Sequence, residues 1–206
     1  MKTINIFLYL LFIVLIISNV FWIFQAGEKV NIIKSFKQRD NFLQSIKNTQ
    51  LELSLFQIKS EGARIDLMEE IVDENGKAKR LIDLVKEHPY NFVLRYSQIG
   101  CNSCIDKKIQ LLHQEFPDTI INKVILLSKL STKRDLVTFR KAHNLNNLFL
   151  NYDNNITPID SINKPYFFII TKDGLIEKVF IPIEGVNDEL TEAYLEYIAQ
   201  LLKDQN

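Results

Sequence analysis

The only two cysteines in the 206 residues stand in one C-x-x-C stretch, Gly100-Cys101-Asn102-Ser103-Cys104. Thiols at this spacing can sit buried and inert, ligate a soft metal, or cycle between dithiol and disulfide. Zinc asks for four ligands, and beyond the pair only His88, His113 and His143 are on offer. Copper could use two thiolates and one imidazole. Redox exchange asks for less: residues at i and i+3 share a helix face, so the two sulfurs can meet. The loop they close is too short to constrain the unfolded chain, so stapling does not explain the pair. A chain so sparing with cysteine, with both in one motif, reads as one that uses them.

The flanks must position that pair. Asn91 to Ser97, with Phe92, Val93, Leu94 and Tyr96, is rich in strand formers. After the motif, Ile105, Ile109, Leu112 and Phe116 recur at helical spacing, and Pro117-Asp118 ends that helix. The cysteines thus fall where a strand turns into a helix N-terminus, whose free N–H groups and positive dipole end favour a thiolate. Cys101, at the start, reads as the attacking thiol, and Cys104, one turn inside, as the resolving thiol. Lys107 and Lys108 add a weaker positive field. Arg95 alternates onto the face of Val93 and Ser97. One reading makes it a solvated or ion-paired residue near a strand end. The other sets it against Cys101, where it would depress the thiol pKa and favour the dithiol form.

The rest of the chain supplies the framework. Glu28 to about Gln50 carries Val30, Ile33, Phe36, Leu43 and Ile46 without Gly or Pro, the pattern of an amphipathic stalk or a dimerising helix. Leu51-Glu52-Leu53-Ser54-Leu55 alternates strictly and predicts a half-buried strand. Arg64 to Asp73 fits either period, Asn75-Gly76 is a hairpin turn, and Arg80 to Lys86 is a short helix or strand. Thr119 to Leu127 predicts a strand, Ser131-Thr132 the cap of a helix reaching about His143, and Leu148 to Leu150 another strand. Pro165 precedes Tyr166-Phe167-Phe168-Ile169-Ile170-Thr171, an apolar run that suits a buried central strand. Asp173-Gly174 turns it into Leu175 to Ile183, and a last helix begins at Asn187 or Asp188. Strand, helix, strand, helix, then a hairpin and a final helix give an α/β fold, a mixed β-sheet flanked by helices. Such sheets do their chemistry at the carboxyl end of a central strand, where the motif stands.

The N-terminus adds a location. Ile4 to Phe24 is uncharged and close to the ~20 residues that cross a bilayer as a helix. No small-x-small cleavage site follows Phe21-Trp22-Ile23-Phe24, so residues 1–26 read as a transmembrane anchor (or uncleaved signal), 27–50 as a helical stalk and 51–206 as the domain. Lys29, Lys34, Lys37 and Arg39 outnumber Lys2, which by the positive-inside bias would hold the domain in the cytoplasm. Long C-terminal domains translocate regardless of such charges, and export is the reading adopted. Lys plus Arg equals Asp plus Glu at 25 each, which gives no electrostatic case for nucleic acid.

From the strand before the motif, through Cys101-Asn102-Ser103-Cys104, to Lys164-Pro165 and Asp173-Gly174, residues 51 to 203 resemble the thioredoxin-like fold. The likeness is to the membrane-anchored or exported bacterial redoxin branch. The resemblance implies a thiol–disulfide oxidoreductase that needs no cofactor beyond the Cys101–Cys104 disulfide and no metal. It implies a bacterial inner-membrane protein, single-pass through residues 4–24, with its domain on the periplasmic side. Cysteine-containing exported proteins would be substrates, and a transmembrane partner would donate electrons. Pro165 matches the family's cis-proline, which faces the redox pair and positions substrate. The chain departs from the family at Gly100, where Trp is common, and at Asn102-Ser103, where Gly-Pro is common. It departs again at Arg95, where the family often buries an acid; these positions modulate the pair. Two other readings stand beside this one. One is a non-enzymatic envelope module of the same fold that binds proteins; the other is a copper- or zinc-handling protein.

Overall fold

In the computed structural model, residues 18, 21, 22, 34, 35, 37–73, 75–97, 102–117, 124–130, 132–143, 148–183 and 188–203 are described, with backbone alone at 102–104, 133 and 148. Residues 37–60 form one helix, α1. The expected strand Leu51–Leu55 lies inside it. Leu53 is 5% exposed, while Leu51 and Leu55 are 65% and 51% exposed. An alternation only five residues long cannot separate the two periods. Leucine is a strong helix former, and no Gly or Pro stands between Gly27 and Gly62. Leu53, Phe56 and Ser60 then share the buried stripe at helical spacing. Gly62, at φ +78°, ends the helix in the left-handed region that favours glycine.

The chain divides into two compact units, Met1–Gln50 and Leu51–Asn206. The expected span 4–24 falls almost wholly outside the described residues, as does Lys29, whereas Lys34, Lys37 and Arg39 are described. Among the described residues no helix is long and apolar enough to cross a membrane.

The second unit is built on a seven-stranded sheet in the order β2-β1-β5-β4-β3-β6-β7. Its strands are β1 (Glu70–Asp73), β2 (Ala78–Arg80), β3 (Tyr90–Ser97), β4 (Ile125–Lys129), β5 (Leu148–Asn151), β6 (Tyr166–Thr171) and β7 (Ile176–Phe180). Its helices after α1 are α2 (Ile82–Val85), α3 (Asn102–Glu115), α4 (Lys133–Ala142) and α5 (Asp188–Lys203), with a 3-10 helix at Pro158–Ile162. Strands β3, β4 and β5 run parallel, β6 lies antiparallel beside β3, and β7 lies antiparallel beside β6 at the sheet's edge. The Asn75-Gly76 turn joins β1 to β2, with Gly76 at φ +79°. Thr132 caps α4, its hydroxyl oxygen accepting from the Asp135 N–H. The strand expected from Thr119 starts at Ile125 within the described residues and runs on to Lys129.

Alternation along β3 separates two cores. Phe92, Leu94 and Tyr96 face α3, α4 and α5, where Phe92 stacks on Phe116 and Phe167 at 5.5 and 5.6 Å. Val93 faces the other way, with Phe168, Ile170, Leu127, Val85, Leu53 and Ile159. Both faces are covered, so β3 is buried along its whole inner length, as a central strand must be.

Between β6 and β7 the register shifts at Phe167–Ile169, and Lys178 takes φ +56°. A bulge throws backbone donors off the ladder. The carboxylate of Glu61 recovers two of them, accepting from the N–H of Lys178 at 2.9 Å and Val179 at 3.0 Å.

Candidate redox site

Strand β3 ends at Ser97 and α3 begins at Asn102. Residues 98–101, with Gly100 and Cys101, lie outside the described residues, as do the side chains of Asn102, Ser103 and Cys104. The backbone nonetheless fixes where the motif runs. It links the carboxyl end of the central strand to the first turn of a fourteen-residue helix, and Cys104 is the third residue of that helix. Ile105, Ile109 and Leu112 lock α3 onto the sheet, so this first turn is held by burial a few residues on.

Pro165 comes to the same end of the sheet. The antiparallel register pairs Arg95 with Tyr166, which sets the buried Pro165 beside the last residues of β3. Ser97 donates from its hydroxyl to Asn163 Oδ1 at 3.2 Å and ties the two segments together. The Lys164–Pro165 peptide, expected to be cis, is trans: no cis peptide bond occurs among the described residues. Asn163, at φ +53°, already reverses the chain out of the 3-10 helix. The trans form, favoured by about 0.5–1 kcal/mol, then carries it into β6.

Arg95 is neither solvated nor near the surface; it is 1% exposed. It points to the face opposite α3, beside Val93. Its Nε donates to Asp160 Oδ1 at 3.0 Å. Nη1 donates to the carbonyls of Ser128 at 3.1 Å and Tyr152 at 2.8 Å, and Nη2 to that of Asn154 at 2.9 Å. Only a guanidinium fork can serve so many acceptors at once. The other carboxylate oxygen of Asp160 accepts from the N–H of Ile156 at 2.6 Å and of Thr157 at 3.3 Å, and from the Tyr166 hydroxyl at 3.2 Å. Thr157 in turn donates to Tyr166 at 3.1 Å. Burial, first, and then the Asp160 charge push the Tyr166 phenol far above its ordinary value. The ion-paired reading of Arg95 is therefore the one the structure supports. Its charge is met by Asp160, and the cluster pins β3, β4, the 3-10 helix and β6 together at the motif end of the sheet.

Asp160 and Thr157 were not singled out in the sequence, yet a signal was present. Thr157-Pro158-Ile159-Asp160 has the form of a capping box with proline at the first helical position, and both reciprocal bonds form. Of the lysines expected to add positive field, Lys107 is paired with Asp188 at 2.5 Å and Lys108 is 3% exposed. His113 is exposed. His143, at the end of α4, sits against Phe139 with ring centres 4.3 Å apart, its Nε2 3.3 Å from Asp106 Oδ1.

That last pair borders a cavity of about 450 Å³ between α3 and α4. Among the described residues Tyr96, Leu130 and Phe139 floor it, and Asp106, Asp135 and His143 stand at its rim. Tyr96 stacks on Phe139 at 5.0 Å, and its phenol is pushed up by burial and by Asp106. Among the described residues no three of His, Cys, Asp and Glu gather as a metal site requires.

No protein-family model matches the chain, and no curated protein matches it in sequence. Solved structures do match in shape. A hypothetical protein from Sinorhizobium meliloti aligns over 71% of this chain and 86% of its own at 17% identity, with a TM-score of 0.50. A thiol:disulfide interchange protein from Bacteroides sp. aligns over 68% and 90% at 13% identity, with a TM-score of 0.46. A secreted disulfide oxidoreductase from Mycobacterium tuberculosis aligns over 64% and 96% at 15% identity, also at 0.46. At such identities the likeness is one of fold. The fold is thioredoxin-like.

Proposed function

We propose that this thioredoxin-like chain is a membrane-tethered thiol–disulfide oxidoreductase acting on the cysteines of exported proteins. The observation that carries the reading is one of placement. Cys101 immediately precedes α3 in sequence and Cys104 is the third residue of that helix, which follows the carboxyl end of the central strand, the end to which Pro165 also comes. Unsatisfied N–H groups and the positive dipole end of a helix of this length favour a thiolate there.

In the reductive direction the Cys101 thiolate attacks one sulfur of a substrate disulfide. A Cys101–substrate disulfide forms, and the other substrate sulfur leaves as a thiolate that takes up a proton. Cys104, deprotonated, then attacks the Cys101 sulfur. The mixed disulfide breaks, the second substrate thiol is released, and Cys101–Cys104 is left oxidised. Two electrons have passed to the substrate. A transmembrane dithiol partner restores the pair by the same exchange in reverse. Gly100, Asn102 and Ser103 set the backbone around the pair, and Pro165 offers a backbone edge to an extended substrate. Residues 4–24 would hold the domain at the bilayer, on the side outside the cytoplasm.

The test is insulin reduction by the full chain with dithiothreitol as electron source. Wild type should turn over, Cys101→Ser should fall to background, and Cys104→Ser should accumulate a mixed disulfide visible on non-reducing gels. Equal inactivity of all three would sink the proposal and leave a binding module.

A further inference from the structure

We infer that the cavity between α3 and α4 receives a lysine or arginine side chain of the protein whose cysteine Cys101 attacks. The identity of that protein rests on the oxidoreductase reading; the chemistry of the cavity does not. Its volume of about 450 Å³ exceeds what a single long side chain fills, so the cation can enter with its flanking backbone. The floor is aromatic and apolar, Tyr96 stacked on Phe139, and suits the methylene stem of a long side chain whose charged head stays at the polar rim.

The rim is acidic. Among the described residues His143 engages one oxygen of Asp106, and the Thr132 hydroxyl donates to one oxygen of Asp135 at 2.7 Å; a carboxylate has about four acceptor sites, more than these partners use. Lys107 of α3 is drawn off to Asp188 and does not fill this role from within. Position supports the assignment too. Asp106 lies one helical turn beyond Asn102, about 6 Å along the axis. An extended peptide covers that in roughly two residues. The cation would thus sit about two residues from the reacting cysteine, and the cavity would select substrates by charge.

The test uses the full chain in detergent micelles and dye-labelled peptides in which serine replaces cysteine, so that no disulfide can form. Fluorescence anisotropy is measured for three peptides that differ only two residues from the serine, with Lys, Gln or Glu there. The Lys peptide should bind about five- to tenfold tighter than the Gln peptide, and the Glu peptide weakest. That preference should shrink with added salt and vanish in Asp106→Asn/Asp135→Asn, whose circular dichroism melt reports that it still folds. Equal affinity for all three peptides, or a preference that survives in the double variant, overturns the inference. Tighter binding of the Gln peptide would assign the cavity to an uncharged side chain and also overturns it. If insulin reduction fails while the Lys preference holds, the oxidoreductase reading falls and the cationic site stands.

Discussion

Replacing Asp160 by alanine should unsettle this domain more than most single substitutions. The carboxylate is buried and accepts from Arg95 Nε, two backbone N–H groups and the Tyr166 hydroxyl. Truncation leaves Arg95, 1% exposed, with three carbonyls but no counter-charge. Breaking a buried pair from one side costs about 3–5 kcal/mol, because the surviving charge is stranded. For a chain of this size each kcal/mol lowers Tm by about 2–4 °C, so Asp160→Ala should melt about 6–20 °C below wild type. Far-UV circular dichroism of the full chain in detergent reads this directly. Arg95→Met leaves Asp160 with its other donors and takes the guanidinium from three carbonyls, of which, among the described residues, only Ser128's keeps another donor, the Tyr152 N–H, so it too should fall by several degrees. The double variant should lose clearly less than the sum of the two, because groups in one network couple. A Tm for Asp160→Ala within about 2 °C of wild type, or strict additivity, would refute the reasoning that the pair stabilises this end of the sheet.

Other outcomes follow from the same packing. Gly174→Ala should cost about 2 kcal/mol or more, since its φ of +78° is strained for alanine and the new Cβ would lie 2.8 Å from the Ile65 carbonyl oxygen. Gly62→Ala meets nothing within 4 Å at the same φ and should cost only about 1 kcal/mol, a contrast measured by paired denaturant titrations. Tyr152, Tyr166 and Tyr194 are all raised above 10.0, chiefly by burial, so the folded chain holds their protons more tightly than the unfolded one. Their contribution is intact below pH 10 and is lost as pH climbs above it toward the folded values; tyrosinate absorbance should therefore rise partly with unfolding instead of before it. A periplasm-only reporter fused after Asn206 should be active, and silence would put the domain in the cytoplasm.

The order of elements from Tyr90 onward was legible because each carries one dominant signal. Phe92–Leu94 and Tyr166–Ile170 are short apolar runs rich in strand formers, and Asp173-Gly174 and Asn75-Gly76 are turns with a mechanism. Leu51–Leu55 misled because five residues of alternation are also two faces of a helix, and only the packing of Leu53 and Phe56 decides between them. The Arg95 cluster was hidden for another reason. Its acceptors come from Ser128, Tyr152, Asn154 and Asp160, positions brought together only once β4 lies beside β3 and β5 beside β4. The cavity at Tyr96, Phe139 and His143 is likewise a meeting of a strand end and two helices that no local pattern records.

Arg95 bears on the proposed chemistry through what it does not supply. A buried acid at this place could take a proton from the resolving thiol; an arginine cannot, since it carries no acceptor and stays protonated. Nor does it offer an unopposed positive charge to a thiolate, because Asp160 lies 3.0 Å from its Nε and the pair acts at a distance only as a dipole. The thiolate of Cys101 must then be favoured mainly by the start of α3, and the proton of Cys104 must leave toward solvent or substrate. The rate of the resolving step should accordingly follow bulk pH through the thiol's own ionisation, with no second group titrating before it. Stopped-flow measurement of that step across pH 5 to 9 should give a single ionisation in wild type, and the same curve in Arg95→Lys if that variant folds. Two ionisations in wild type would mean that another buried base serves the pair and would refute the argument.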